Sequence, residues 1–149
     1  MTVEKWSAAA ITSLATTELN SLANAAGALG VEYDNSTNLM PFGVFELTVT
    51  FGSAPTAGRT VDLYIVPASD GTNYATNVTG SSGYAQSTGY VGSFVLQAVT
   101  TLQRLNLGGI GARGTFHPPP THLKAYSLNN RGHPSPSSGS PLKLVRYQR

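Results

Sequence analysis

The chain has 149 residues, enough for one domain with a sizeable core and too short for two comfortable ones. Only 11% of them are charged, cysteine is absent, and Gly, Ser, Thr, Asn and Pro are abundant. That composition excludes disulfide staples and thiol catalysis, removes the commonest ligands of structural zinc, and favours short strands and turns over helices.

In chain order, residues 1–15 read as an N-terminal arm with Trp6 as its one large anchor, the alternative being a first strand at a sheet edge. The stretch MTVEKWSAAAITSLATT carries Glu4, Thr12, Ser13 and Thr16 where a secretory core would be continuously apolar, so the chain is expected to be made soluble and unprocessed. Ile11, Leu14, Ala15, Leu22, Ala25, Ala26 and Leu29 fall near one helical stripe. With Thr16 or Thr17 as a cap ahead of Glu18, they predict one short helix through TELNSLANAA. A strand is expected in VEYDNSTNLM.

From residue 43 the alternation is clear. In GVFELTVTF, Phe45, Leu47, Val49 and Phe51 face one way and Val44, Glu46, Thr48 and Thr50 the other, a half-buried strand. TVDLYIV follows with Val61, Leu63 and Ile65 inward and Asp62 and Tyr64 outward, and the two are expected to run antiparallel. Residues 69–92 are polar, rich in glycine and decorated with Tyr74, Tyr84 and Tyr90, which reads as a long surface excursion. SFVLQAVTTLQRLNL gives one or two more strands with a bulge or corner at Thr100-Thr101. THLKAYSLN and LKLVRY complete the set, separated by HPSPSSGSP. The expected fold is all-β, an antiparallel β-sandwich or jelly roll of about seven or eight short strands occupying residues 16–149 as a single domain.

The chemical motifs are weak. Gly109 to Gly114 spell G-x-G-x-x-G, but three prolines at 118–120 cannot open the helix that pattern needs, and no Asp or Glu follows Asp70 to hold a ribose. His117, His122 and His133 are the only candidates for a metal, without a spacing that puts two on one face. GSSG at 80–83 is no nucleophile elbow, and Glu32, Asp34, Asp62 and Asp70 have no fixed separation for acid-base work. Asp70-Gly71-Thr72-Asn73 reads as a plain turn rather than a calcium loop. No enzyme, cofactor or metal is expected.

The net charge of +2 hides a division. Residues 1–70 hold all seven acids and two bases, a net −5, whereas residues 71–149 hold seven bases and no acid, a net +7. The bases are too dispersed for a nucleic-acid patch. Either strands of the two halves interleave and the charges mix, or opposite surfaces meet between neighbouring copies or on an acidic partner. Candidate contact residues are Trp6, Tyr74, Tyr84, Tyr90, Arg113, Arg131, Arg146 and Arg149.

The succession TTELNSLANAAGALG, YDNSTNL, VDLYIVPASDGTNYA, FVLQAVTTLQRLNLGGI, PPPTHLKAYSLNNRG and LKLVRY resembles a family of small virion structural proteins of tailed bacteriophages, some of them jelly-roll or β-sandwich cement (decoration) proteins. The resemblance spans about residue 16 to the end. It implies a protein made in the host bacterial cytoplasm and placed on the outer surface of the capsid. It further implies many copies per particle and the major capsid protein as partner. A dimer or trimer is expected as the chain's own state, with no direct contact with nucleic acid or membrane and no catalysis. A receptor-binding or carbohydrate-binding module on a tail fibre is the alternative on the same fold.

Overall fold

A computed structural model describes residues 10–37, 39, 41–74, 89–110 and 121–147. Trp6, Tyr84, Arg113, Arg149, His117 and most of the glycine motif lie outside the described residues. Among the described residues eight strands follow one another: β1 (Ala10–Ala15), β2 (Gly27–Asp34), β3 (Phe42–Val49), β4 (Thr60–Ala68), β5 (Tyr90–Val95), β6 (Gln103–Ile110), β7 (His122–Asn130) and β8 (Leu142–Tyr147). They form two four-stranded sheets, β1-β8-β3-β6 and β2-β7-β4-β5, all pairings antiparallel, so the molecule is an all-β sandwich.

The alternation read from the sequence decides which side chains fill the space between the layers. Phe45, Leu47, Val49 and Phe51 enter from one sheet. Val61, Leu63, Ile65, Phe94, Leu123 and Ala125 enter from the other, and Leu142 and Leu144 join from β8. Each such fully buried Leu, Ile, Val or Phe contributes about 1.5–3 kcal/mol by leaving water. Leu105 and Leu107 pack against this core from the edge strand β6.

The pairing is nested. β1 lies beside β8, β2 beside β7, β3 beside β6 and β4 beside β5, as though one long hairpin had been rolled up. This corrects the expected partnership of GVFELTVTF with TVDLYIV: β3 and β4 sit in opposite sheets, and residues 50–59 cross between the layers. Alternation fixes the face of a strand but not its neighbour. Likewise residues 96–102 turn the corner between β5 and β6, held by Gln103, whose Oε1 accepts from the Gln97 N–H at 2.9 Å and whose Nε2 donates to the Gln97 carbonyl at 3.0 Å.

Nesting also explains the charge division. Every pairing joins a strand of the first half to one of the second, so acids and bases become cross-strand neighbours. Glu46 lies opposite Lys143 and Glu32 opposite Lys124, and Arg104 Nε stands 3.8 Å from Glu46 Oε1. Exposed pairs of this kind add little stability, but they cancel the field that the sequence would otherwise separate.

The predicted helix through TELNSLANAA is absent. Residues 16–26 run as successive turns, with Ser21 and Ala25 in the left-handed region at φ 53° and 59°. Their backbone groups bond to other parts of the chain instead of to the preceding turn. Ser21 N–H donates to the Pro136 carbonyl at 2.8 Å, and Ala25 N–H to that of Asn129 at 2.7 Å. The buried Asn129 Nδ2 donates to the carbonyls of Leu22, Ala23 and His133. The capping roles are reversed as well, because the Glu18 carboxylate accepts from the N–H groups of Thr16 and Thr17. Partial burial pushes its pKa up, but these backbone hydrogen bonds outweigh that and leave it lowered. Residues 10–15, assigned to the arm from sequence, form the edge strand β1. Since alanine is held at positive φ in an exposed turn, Ala25→Gly is expected to leave stability unchanged or raise it by up to about 1 kcal/mol, read from urea midpoints.

Candidate functional site

The outer face of the sheet β2-β7-β4-β5 gathers the most distinctive chemistry among the described residues. Period-two alternation turns Tyr64 and Asp62 of β4 outward, and with them Lys124, Tyr126 and Leu128 of β7 and Tyr90 and Ser93 of β5. The registers then align Leu29, Tyr126, Tyr64 and Tyr90 into one row across all four strands. Adjacent rings touch: Tyr64 and Tyr90 have centroids 5.3 Å apart at 55°, and Tyr64 and Tyr126 are 6.1 Å apart edge to face. These are the separations at which aromatic quadrupoles attract.

Exposure rises along the row. Tyr126 is 1% exposed, Tyr64 is half-buried and Tyr90 is 41% exposed. At the buried end, Val66 and Tyr126 form a second small core with Leu29, Tyr64, Tyr74 and Leu128 packed around it, on the far side of the sheet from the main one. Gly27 makes this possible, since a Cβ there would occupy the space of the Tyr126 hydroxyl.

Two polar borders flank the row. On one side Asp62 accepts from Ser93 Oγ at 2.6 Å and from Asn130 Nδ2 at 2.5 Å, while the Tyr90 hydroxyl shares a 2.6 Å hydrogen bond with Ser93 Oγ. On the other side Lys124 Nζ sits 4.3 Å above the Tyr74 ring, and His122 Nδ1 lies 3.3 Å from Glu32 and 3.7 Å from Asp34. Burial raises the Tyr74 hydroxyl pKa above its ordinary value, as it does that of Tyr64, with the nearby carboxylates adding to the effect. Among the described residues no group of three or more His, Asp or Glu has the geometry to hold a metal ion.

Tyr74 is carried there by the turn that follows β4. Asp70 Oδ1 accepts from the N–H groups of Thr72 and Asn73 at 2.9 and 2.8 Å, and Asp70 Oδ2 from Asn73 Nδ2 at 2.6 Å. Gly71 takes φ +70°. These are the bonds of an Asx turn. The backbone hydrogen bonds of Asn73 and Thr72 hold the Asp70 pKa down at about 2, from an ordinary 3.8. A depressed carboxylate pKa means that the turn's extra stability is complete above about pH 4 and is lost as pH falls toward 2. The expected result is that the Thr72 and Asn73 amide signals shift together in that window in an NMR titration, and that Asp70→Asn removes the transition.

Of the contact residues expected from sequence, the structure brings Tyr74 and Tyr90 to this one face. Arg146 is elsewhere and committed: it points between the layers, with its guanidinium 5.1 Å over the Tyr33 ring and Nη1 donating to the Tyr33 hydroxyl at 3.0 Å. Arg131 is 2% exposed, in the connection between β7 and β8. Sequence reasoning placed Tyr64 outward but missed Tyr126, Leu29 and Lys124 as its neighbours, although the alternation in THLKAYSLN puts Lys124, Tyr126 and Leu128 on one phase.

Compared with known proteins, the chain matches no protein-family model and none of the curated proteins.

Proposed function

We propose that this protein is a non-enzymatic virion structural protein of a tailed bacteriophage, a cement or decoration protein. In this reading it attaches to the outer capsid surface, bridges major capsid protein subunits and stabilises the head. The observation that carries it is the tyrosine row: a graded aromatic face with one ring well exposed and polar groups on both borders, which is the composition of a protein contact surface. The nested strand order supports it too. We read that order as a jelly roll, an architecture used by viral capsid proteins and lectins. The order of sequence segments, similar to that of phage virion proteins, supplies the setting.

Mechanically the task needs no chemistry. Each copy adds a modest interface between capsid subunits, repetition over the particle multiplies it, and ligation of the assembled shell stabilises it by mass action. A dimer or trimer of the chain would span more than one subunit. The test is co-sedimentation of purified protein with empty heads of the source virus at near-physiological salt. Saturable pelleting is expected, and protein that stays in the supernatant at saturating heads contradicts the reading.

A second reading, a tail-fibre module binding carbohydrate, draws on one specific feature. Asp62, Asn130 and Ser93 offer acceptor and donor groups beside the Tyr64 and Tyr90 rings, the pairing of stacking face and hydrogen-bonding edge that holds a sugar. A glycan array separates the two: specific sugar binding favours the adhesin, silence the cement protein.

A further inference from the structure

A buried guanidinium with no acid beside it among the described residues stands apart from the tyrosine face. Arg131 Nε and the Arg131 backbone N–H both donate to Asn129 Oδ1, at 2.8 and 3.1 Å. Nη2 donates to Ser135 Oγ, and the guanidinium carbon lies 5.2 Å over the Phe51 ring. These contacts fix the group in place and satisfy one of its edges. Nη1 is buried and makes no hydrogen bond. Among the described residues no carboxylate comes within ion-pair distance of Arg131. The described acids are engaged elsewhere, Glu18 with the Thr16 and Thr17 amides, Glu46 with Arg104, Glu32 and Asp34 with His122, and Asp62 and Asp70 in their own hydrogen-bond networks. Burial draws the Arg131 pKa down to about 10, which still leaves it charged at neutral pH. A buried positive charge with an open donor and no counter-charge is an unfavourable arrangement that an anion relieves.

Arg131 also lines a cavity of about 250 Å³, together with Phe51, Pro55, His133, Pro134 and Ser135. We propose that this cavity is a binding site for a carboxylate, with Arg131 as the residue that receives it. Three features select that ligand class. A single buried cation matches a monoanion better than a phosphate dianion. With Nε and Nη2 held by Asn129 and Ser135, Nη1 is the donor left for a carboxylate oxygen, in a charge-assisted hydrogen bond. The phenyl and pyrrolidine walls suit a short carbon chain behind the charged group. Such a carboxylate comes either from a free short-chain acid or from an acidic side chain of a bound protein, and the inference does not depend on the proposed place in a virion.

The experiment is an NMR titration of the full chain, following the Arg131 Nε–Hε signal and the amides of Gly52, Ser53, His133 and Ser135. Sodium acetate, N-acetylglutamate amide, sodium phosphate and sodium chloride are compared at matched ionic strength. Acetate is expected to shift these signals saturably, with a dissociation constant of about 1–10 mM, as a charge-assisted pair in a small site gives. Chloride at the same strength is expected to leave them unmoved. A response to N-acetylglutamate amide as well assigns the site to a protein side chain, and a response to acetate alone assigns it to a free acid. R131M is expected to abolish the response; should that variant not fold, the titration of the native chain decides by itself. Shifts equal in chloride, stronger with phosphate than with acetate, or absent in all four overturn the proposal.

Discussion

Replacing Gly30 by alanine is expected to destabilise the protein by about 3 kcal/mol, because a Cβ at that position would fall inside the Leu14 carbonyl oxygen of β1. Gly30 lies where the β2–β7 register slips between Leu29 and Glu32, at the edge where β1 of one sheet approaches β2 of the other. The obstacle is backbone, so no rotamer change clears it, and either β1 leaves β8 or the sandwich opens at that edge. For a chain of this length the melting temperature is expected to fall by roughly 6–12 °C. Gly108→Ala is the control, since nothing lies within 4 Å of a Cβ there, and its effect is expected within about 0.5 kcal/mol. Equal melting temperatures for the two variants would show that β1 does not close against β2 as described.

Under the proposed function, removing the exposed half of the tyrosine row is expected to release the protein from the capsid surface. Tyr64→Ala with Tyr90→Ala deletes two touching aromatic anchors, and a pair of that kind at the centre of an interface is worth about 3 kcal/mol, or roughly a hundredfold in affinity. Binding isotherms on empty heads measure it directly. Arg104→Ala with Lys143→Ala, on the other sheet, is the control, and its affinity is expected to stay within about threefold of the native value because exposed charges contribute little. The reverse ranking would assign attachment to the sheet β1-β8-β3-β6.

Both variants rest on features of different legibility in the sequence. The strands were readable wherever one face is buried: GVFELTVTF, TVDLYIV, THLKAYSLN and LKLVRY all appear close to their expected positions, because alternation is a local property that packing only confirms. Partnership was not readable, and β3 and β4 ended in different sheets, since a connection of this length can turn back or cross over equally well. The apolar stripe from Ile11 to Leu29 mimicked a helix. Its residues serve strands β1 and β2 and the turns between them, whose amides find acceptors at Asn129 and Pro136, more than a hundred residues away.

The site divides in the same way. That Tyr64, Tyr74 and Tyr90 reach the surface follows from local pattern. That Tyr64 and Tyr90 join Tyr126 and Leu29 in a row needs three cross-strand registers, none of which is local. Arg131 looked like one more dispersed surface base, and only Asn129, Ser135 and Phe51, brought together by the fold, reveal it as a buried one.

The central claim, an eight-stranded sandwich that attaches through the outer face of β2-β7-β4-β5, is tested most directly by an electron cryomicroscopy reconstruction of the source virus. The account predicts density for this sandwich on the exterior of the head, repeated over the shell, with Tyr64 and Tyr90 turned toward the major capsid protein. A reconstruction that finds the chain only in the tail, or bound to the shell through Arg104 and Lys143, contradicts it.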